Sequence, residues 1–170
     1  IVVLTLLMFN KSFASEAIGY YSKNGKLKNA QKIDSFDLSN IIKLYRKRGQ
    51  NFGTTEIMSS LIGTANFIKE LNSTVERMQV GDVAAKSGGK IVRHASHQNG
   101  LDADVVYFRV NEKEQDENFP EWKELFVKNG KLSKNFNLER NWQAFKYLVH
   151  NHNVGRIFVD PVIKSSLCKY

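Results

Sequence analysis

The chain holds a single cysteine, Cys168, and only two prolines, Pro120 and Pro161, in 170 residues. One thiol cannot form a disulfide within the chain, so no cysteine-stapled scaffold is available, and any bridge needs a partner outside these residues. No repeat or interdomain linker divides the sequence, and its length suits one domain with a substantial core. The apolar stretch Ile1 to Phe9 is too short to span a bilayer. Gly88-Gly89 is not followed by Gly-Lys-Ser/Thr, which excludes a phosphate loop. Acidic residues are in deficit, 17 against 25 lysines and arginines, for a net charge of +8. The basic residues are scattered, which favours an anionic partner such as a cell-wall polymer, a lipid surface or nucleic acid without choosing among them. A hydrophobic content of 42% excludes a disordered chain.

What is present centres on His94-Ala95-Ser96-His97-Gln98-Asn99-Gly100-Leu101-Asp102-Ala103-Asp104, two imidazoles and two carboxylates around one glycine turn. The following Val-Val-Tyr-Phe-Arg-Val predicts a strand over Ala103 to Val110, with Asp104, Val106, Phe108 and Val110 on one face. A carboxylate at the end of an apolar face calls for a cation: Arg93, a nearby lysine, or a metal ion shared with a histidine. His97 lies seven residues before Asp104, across the Asn99-Gly100 turn, so both side chains can reach one point. Zinc accepts imidazole nitrogen with carboxylate oxygen, and a catalytic zinc keeps a position open for water. A structural histidine beside a salt-bridged aspartate fits the same spacing.

That eleven-residue string, with Gly88-Gly89 ahead of it, resembles the first metal motif of the penicillin-insensitive murein endopeptidases, zinc peptidases related to lysostaphin and the D-Ala-D-Ala carboxypeptidases. Ile18-Gly19-Tyr20-Tyr21-Ser22, Val80-Gly81-Asp82, Arg156-Ile157-Phe158-Val159 and Leu167-Cys168 resemble the family in the same order. The resemblance implies that His97 and Asp104 bind zinc and that His94 lines the substrate cleft or stands behind the ligands. It leaves Asp102 as an orienting carboxylate for His97 or a plain surface aspartate. Some relatives carry Asp-Gly-Lys-His where this chain has Asn129-Gly130-Lys131-Leu132, which argues against a second zinc. The family's second motif is a His-x-His on a strand. His150-Asn151-His152 sits at a helix end, where residues two apart point to different sides. The third ligand is therefore expected downstream of these residues.

Along the chain, Ile1 to Phe9 with Ser12 and Ala14 reads as a signal-peptide remnant with cleavage after Ala14, the alternative being a buried strand. This leaves residues 15–170 as one peptidase domain, C-terminally incomplete. Asp37, the stripe Leu38, Ile41, Ile42 and Tyr45, and the terminal Arg46-Lys47-Arg48 before Gly49 predict a capped helix. Without interleaved aromatics, that basic cluster is a solvated helix end rather than a nucleic-acid patch. A second helix opens at Thr54 or Thr55, and Val75 to Val80 reads as a strand. A short helix is expected over Phe119 to Gly130, a longer one over Leu138 to Val149, and a strand over Gly155 to Asp160 that stops at Pro161.

These elements do not alternate as a doubly wound sheet requires. With the resemblance, the expected class is α+β, an antiparallel sheet with helices packed on one side, in the hedgehog and DD-peptidase manner. The expected function is an exported, periplasmic zinc endopeptidase that cuts D-alanyl–diaminopimelyl cross-links. Its partners are then the stem peptides of peptidoglycan, with no nucleic acid and no membrane insertion after signal removal. A D,D-carboxypeptidase with the same metal and a non-catalytic wall-binding domain are the alternatives. Export also leads one to expect Cys168 in a disulfide with a cysteine outside these residues.

Overall fold

The computed structural model describes residues 14–120 and 124–170. The Ile1 to Phe9 run and most of the cleavage motif lie outside the described residues, as does Trp122 of the helix expected before Gly130. The strands are β1 (Glu16–Tyr20), β2 (Lys23–Lys28), β3 (Gln31–Lys32), β4 (Ile41–Lys43), β5 (Phe52–Gly53), β6 (Met78–Val80), β7 (Val127–Lys128) and β8 (Lys131–Leu132). The helices are α1 (Thr55–Leu71), α2 (Leu138–Asn151) and α3 (Pro161–Leu167). The protein therefore mixes helix and sheet, but the expected single sheet is four two-stranded pairs: β1-β2, β3-β5, β4-β6 and β7-β8. The β4-β6 pair is parallel, and the other three are antiparallel. Isolated bridges extend this scaffold, including Val80 to Val105 and Phe52 to Ala84. Among the described residues no helix is long and apolar enough to cross a membrane.

The two long helices form where the apolar period predicts them. Thr54 caps α1 by accepting the Ile57 N–H, and Asn137 caps α2 by accepting the Arg140 N–H at 2.9 Å. The buried stripe of α1, Met58, Leu61, Ala65 and Ile68, meets Ile41, Met78, Val80, Val83 and Phe108 in the main core. A second cluster joins Phe136, Ile163 and Leu167 to Tyr107 and Phe126. Tyr107 meets the rings of Phe126 and Phe136 edge-on at centroid distances of 5.4 and 5.2 Å.

Four local expectations are corrected. The helix expected after Asp37 is instead β4 followed by a single 3-10 turn at Arg46–Arg48. Ile41, Ile42 and Lys43 are all buried, as a strand packed on both faces requires, and Tyr45 breaks the run with φ 57°. The Asp37 carboxylate caps only its own turn, accepting the Ser39 N–H at 2.9 Å. The second correction falls at the end of the helix expected before Gly130, which is the β7-β8 hairpin, with left-handed backbone at Asn129 and Gly130. Third, Gly155 to Asp160 is irregular, and Pro161 begins α3 instead of ending a strand. Asp160 accepts the Val162 N–H at 2.8 Å, and proline at the first helical position loses no hydrogen bond that the helix would have made.

The fourth correction concerns residues 103–110, which are extended but form bridges rather than a strand. Their backbone partners are largely side chains and distant loops. Asn141, 1% exposed, accepts the Phe108 N–H at 3.0 Å and donates to the Phe108 carbonyl at 2.9 Å. Glu76 accepts the Arg109 N–H, the Gln79 carbonyl accepts that of Val106, and the Asp82 carbonyl accepts that of Asp104. The segment is thus clamped by α2 and the β6 region, with Phe108 in the main core, Tyr107 in the second cluster and Val110 exposed.

Candidate metal centre

The loop that carries the histidines is fixed from several directions. His97 adopts a left-handed backbone, φ 66°, a conformation that costs a non-glycine residue of order 1 kcal/mol and needs support. Its N–H donates to Asp102 Oδ2 at 3.0 Å, so Asp102 orients His97 through the main chain rather than through the ring. The His97 ring is 6% exposed, and its Nδ1 lies 2.7 Å from the Val83 carbonyl oxygen. A carbonyl only accepts, so Nδ1 carries the proton and Nε2 presents its lone pair when the ring is neutral. That Nε2 lies 3.3 Å from Asp104 Oδ1.

The β1-β2 hairpin braces the same loop. Tyr21 and Ser22 carbonyls accept the Gln98 N–H at 3.0 Å and its side-chain amide at 2.9 Å. The Asn99 amide reaches the Gly19 carbonyl at 3.2 Å. Gly88, φ 72°, lies so close behind that an added Cβ would meet Gln98 O at 2.4 Å and Leu27 N at 2.7 Å, which explains a glycine there.

His94 completes the group. Ligand atoms of His94, His97 and Asp104 all lie within 4.8 Å of one another, and among the described residues they are the cluster able to hold a metal ion. His94 Nε2 is 3.1 Å from Asp82 Oδ2, and its Nδ1 is 3.8 Å from Asp104 Oδ2. The two rings meet edge-on at 4.5 Å. Donors at zinc bond lengths in a tetrahedron stand about 3.3 Å apart, so this set fits such an ion with small side-chain adjustments. Asp104 is 38% exposed, which leaves one side open to solvent. His150 lies exposed in the last turn of α2, and His152 caps its end, its ring tilted against that of Tyr147 and close to Gly63. Neither belongs to the cluster.

The electrostatics follow from burial. Burial alone would push His97 down, but the hydrogen bond and charge of Asp104, the Val83 carbonyl and the charge of Asp102 together raise it above the ordinary imidazole value. Beneath the site Lys43 is fully buried, and desolvation lowers it to about 8 against the pull of Asp82 and Asp104. Its Nζ donates to the Leu44 carbonyl. Of the two side-chain cations expected near Asp104, Arg93 is exposed, whereas Lys43 is buried within reach of the Asp82 and Asp104 charges. Asp82, 4% exposed at its side chain, receives Arg48 Nη1 at 2.8 Å as well as His94. Arg48 lies over the Tyr45 ring at 3.7 Å, so the basic turn points partly inward and is not only a solvated end.

Sequence reasoning missed Asp82, Lys43 and Arg48. A lysine inside Ile-Ile-Lys-Leu was the available signal, because a charge in an apolar run needs a counter-charge just as Asp104 does.

Two imidazoles and a carboxylate, oriented from behind and open on one side, make this a candidate metal-binding domain of mixed α and β structure. The chain belongs to the penicillin-insensitive murein endopeptidase family, whose sequence profile matches residues 17–170. The penicillin-insensitive murein endopeptidase of Haemophilus influenzae is 39% identical over 99 residues, 54% of this chain and 34% of that protein. That of Yersinia enterocolitica is 31% identical over 116 residues, 61% of this chain and 41% of the relative. The Escherichia coli protein of the same name is 30% identical over 111 residues, 60% and 40% respectively. The chain thus matches only 34 to 41% of the length of these relatives.

Proposed function

We propose that the protein is an exported zinc peptidase that acts in the periplasm on peptidoglycan, hydrolysing the D-alanyl–diaminopimelyl cross-link between stem peptides. The observation that carries this reading is the His97 ring, locked by the Val83 carbonyl so that its Nε2 faces Asp104, in a chain of the murein endopeptidase family. His97 Nε2 and Asp104 would hold the ion. Zinc held there would act as a Lewis acid and would lower the pKa of its bound water toward neutrality. Asp102 keeps the His97 backbone in its left-handed turn. His94, whose Nδ1 lies 3.8 Å from Asp104, would line the substrate cleft beside the ion and bear on turnover more than on metal retention. The surplus of basic residues suits the carboxylates of stem peptides. A cavity of about 300 Å³ runs along the segment that follows Asp104 and is lined by Val105, Tyr107, Arg109, Phe126 and Asp160, none of them a member of the cluster.

The test is digestion of purified sacculi by the full-length protein, with and without a chelator, followed by chromatography of the muropeptides. Cross-linked dimers should disappear, chelation should preserve them, and added zinc should restore cleavage. Dimers that persist with zinc-loaded protein would rule out the endopeptidase reading.

A further inference from the structure

We propose that Asp82 is a positioning residue for His94, fixing its proton on Nε2 and turning Nδ1 toward the His97–Asp104 pair. Four observations carry it. The Asp82 side chain is 4% exposed, and a carboxylate so buried must be matched by donors. One of its oxygens, Oδ2, takes both His94 Nε2 at 3.1 Å and Arg48 Nη1 at 2.8 Å. Its other oxygen, Oδ1, is buried with no hydrogen-bond partner among the described residues, so His94 and Arg48 are the side-chain donors that this carboxylate has. Finally, the Asp82 main chain is tied to the site from both sides: Gly81 N–H donates to the Asp104 carbonyl at 2.8 Å and Asp104 N–H to the Asp82 carbonyl at 2.9 Å.

The physical logic is that of a carboxylate behind a histidine. An ionised carboxylate only accepts, so the neutral imidazole facing it carries its proton on the facing nitrogen and exposes the lone pair of the other. Here the facing nitrogen is Nε2 and the free one is Nδ1, 3.8 Å from Asp104. Arg48 holds the carboxylate in turn, itself steadied over the Tyr45 ring. His97 and His94 are thereby locked in opposite tautomers, the first by a main-chain carbonyl on Nδ1 and the second by a side chain on Nε2, with both lone pairs directed to one region.

That His94 serves catalysis rests on the peptidase reading; its tautomer does not. The experiment is two-bond 1H–15N correlation spectroscopy of the full-length protein labelled at histidine nitrogen, before and after chelation, at a pH where His94 is neutral. His94→Gln identifies the signal. The wild type should show His94 protonated on Nε2. Asp82→Ala should give a mixture of tautomers and lower turnover about 10 to 100-fold with zinc content retained. Asp82→Asn, whose amide oxygen can accept both donors, should recover the tautomer at least in part. A wild-type His94 protonated on Nδ1, or a tautomer unchanged in Asp82→Ala, would overturn the proposal. The wild-type spectrum decides even where Asp82→Ala does not fold. Loss of the tautomer preference without any muropeptide cleavage in the wild type would refute the peptidase reading and leave the positioning intact.

Discussion

His97→Ala and Asp104→Ala are each expected to lose bound zinc and cleavage of cross-linked muropeptides together, in the same preparations of the full-length protein. The reasoning is geometric. Each substitution removes one of the two groups proposed to hold the ion, and leaves His94 as the one other member of the cluster of three beside the remaining partner. His97 carries the larger burden because its ring is pinned at Nδ1 and its backbone is held in an unfavourable turn by Asp102. Asp102→Asn should leave measurable activity, since an amide oxygen can still accept the His97 N–H; losses for such supporting groups run to about 10 to 100-fold. His94→Ala should reduce turnover more than metal content. His150→Ala and His152→Ala should leave zinc occupancy unchanged, because one is exposed on α2 and the other packs near Gly63. Zinc per protein by atomic spectroscopy, beside chromatography of digested dimers, makes the comparison. Zinc lost in either of the last two variants but kept in His97→Ala would overturn the site assignment.

The second large effect is on stability. Glu76→Ala is expected to cost about 3 to 5 kcal/mol, the range for removing one partner of a buried ion pair. The Glu76 carboxylate is 1% exposed at its side chain and joins three elements. It accepts the Arg109 N–H at 2.5 Å and Arg140 Nη1 at 2.9 Å, while Arg140 also reaches Glu112 at 2.6 Å and the Arg109 carbonyl at 3.0 Å. Burial pushes the Glu76 carboxyl up, and the Arg109 N–H and the Arg140 charge pull it back. Truncation would strand a main-chain donor and leave a largely buried guanidinium short of a counter-charge. Glu76→Gln keeps an acceptor without the charge and should fall between. Urea unfolding of the three proteins at constant pH measures the difference. An alanine variant within 1 kcal/mol of wild type would show that solvent or Glu112 compensates, against the estimate for a buried pair.

How much of this was legible in the sequence depended on whether the deciding forces were local. Helices α1 and α2 were legible because their apolar period, and for α1 the cap at Thr54, is local; the Asn137 cap of α2 was equally local but went unread. The stretch 41–48 misled because Leu38, Ile41, Ile42 and Tyr45 happen to fit a helical stripe, whereas burial on both faces against β6 makes Ile41–Lys43 a strand. The strand expected over 103–110 has the right extension and alternation at Tyr107 and Phe108. Its hydrogen bonds go to Asn141, Glu76 and Asn135, partners that no local pattern reveals. The site shows the same division. His94, His97 and Asp104 come from one short segment and were readable there. Asp82, Lys43 and Arg48 reach the site only through tertiary folding.

The hairpin bracing the histidine loop also bears on the order in which the molecule assembles. Its contacts with Gln98 and Asn99 join residues 73 to 80 positions apart, whereas the hydrogen bonds of α1 span single turns. Closing so long a loop carries an entropic cost that must be met before its contacts give anything back, so such contacts form late on the folding pathway. During synthesis β1 and β2 are made long before the loop they will hold, and until they meet the left-handed turn at His97 has only the nearby Asp102 carboxylate to brace it. Pulsed hydrogen exchange during refolding should therefore show the Gln98 amide protected after the amides of α1. Protection of Gln98 in the earliest phase would mean that the loop takes its shape without the hairpin.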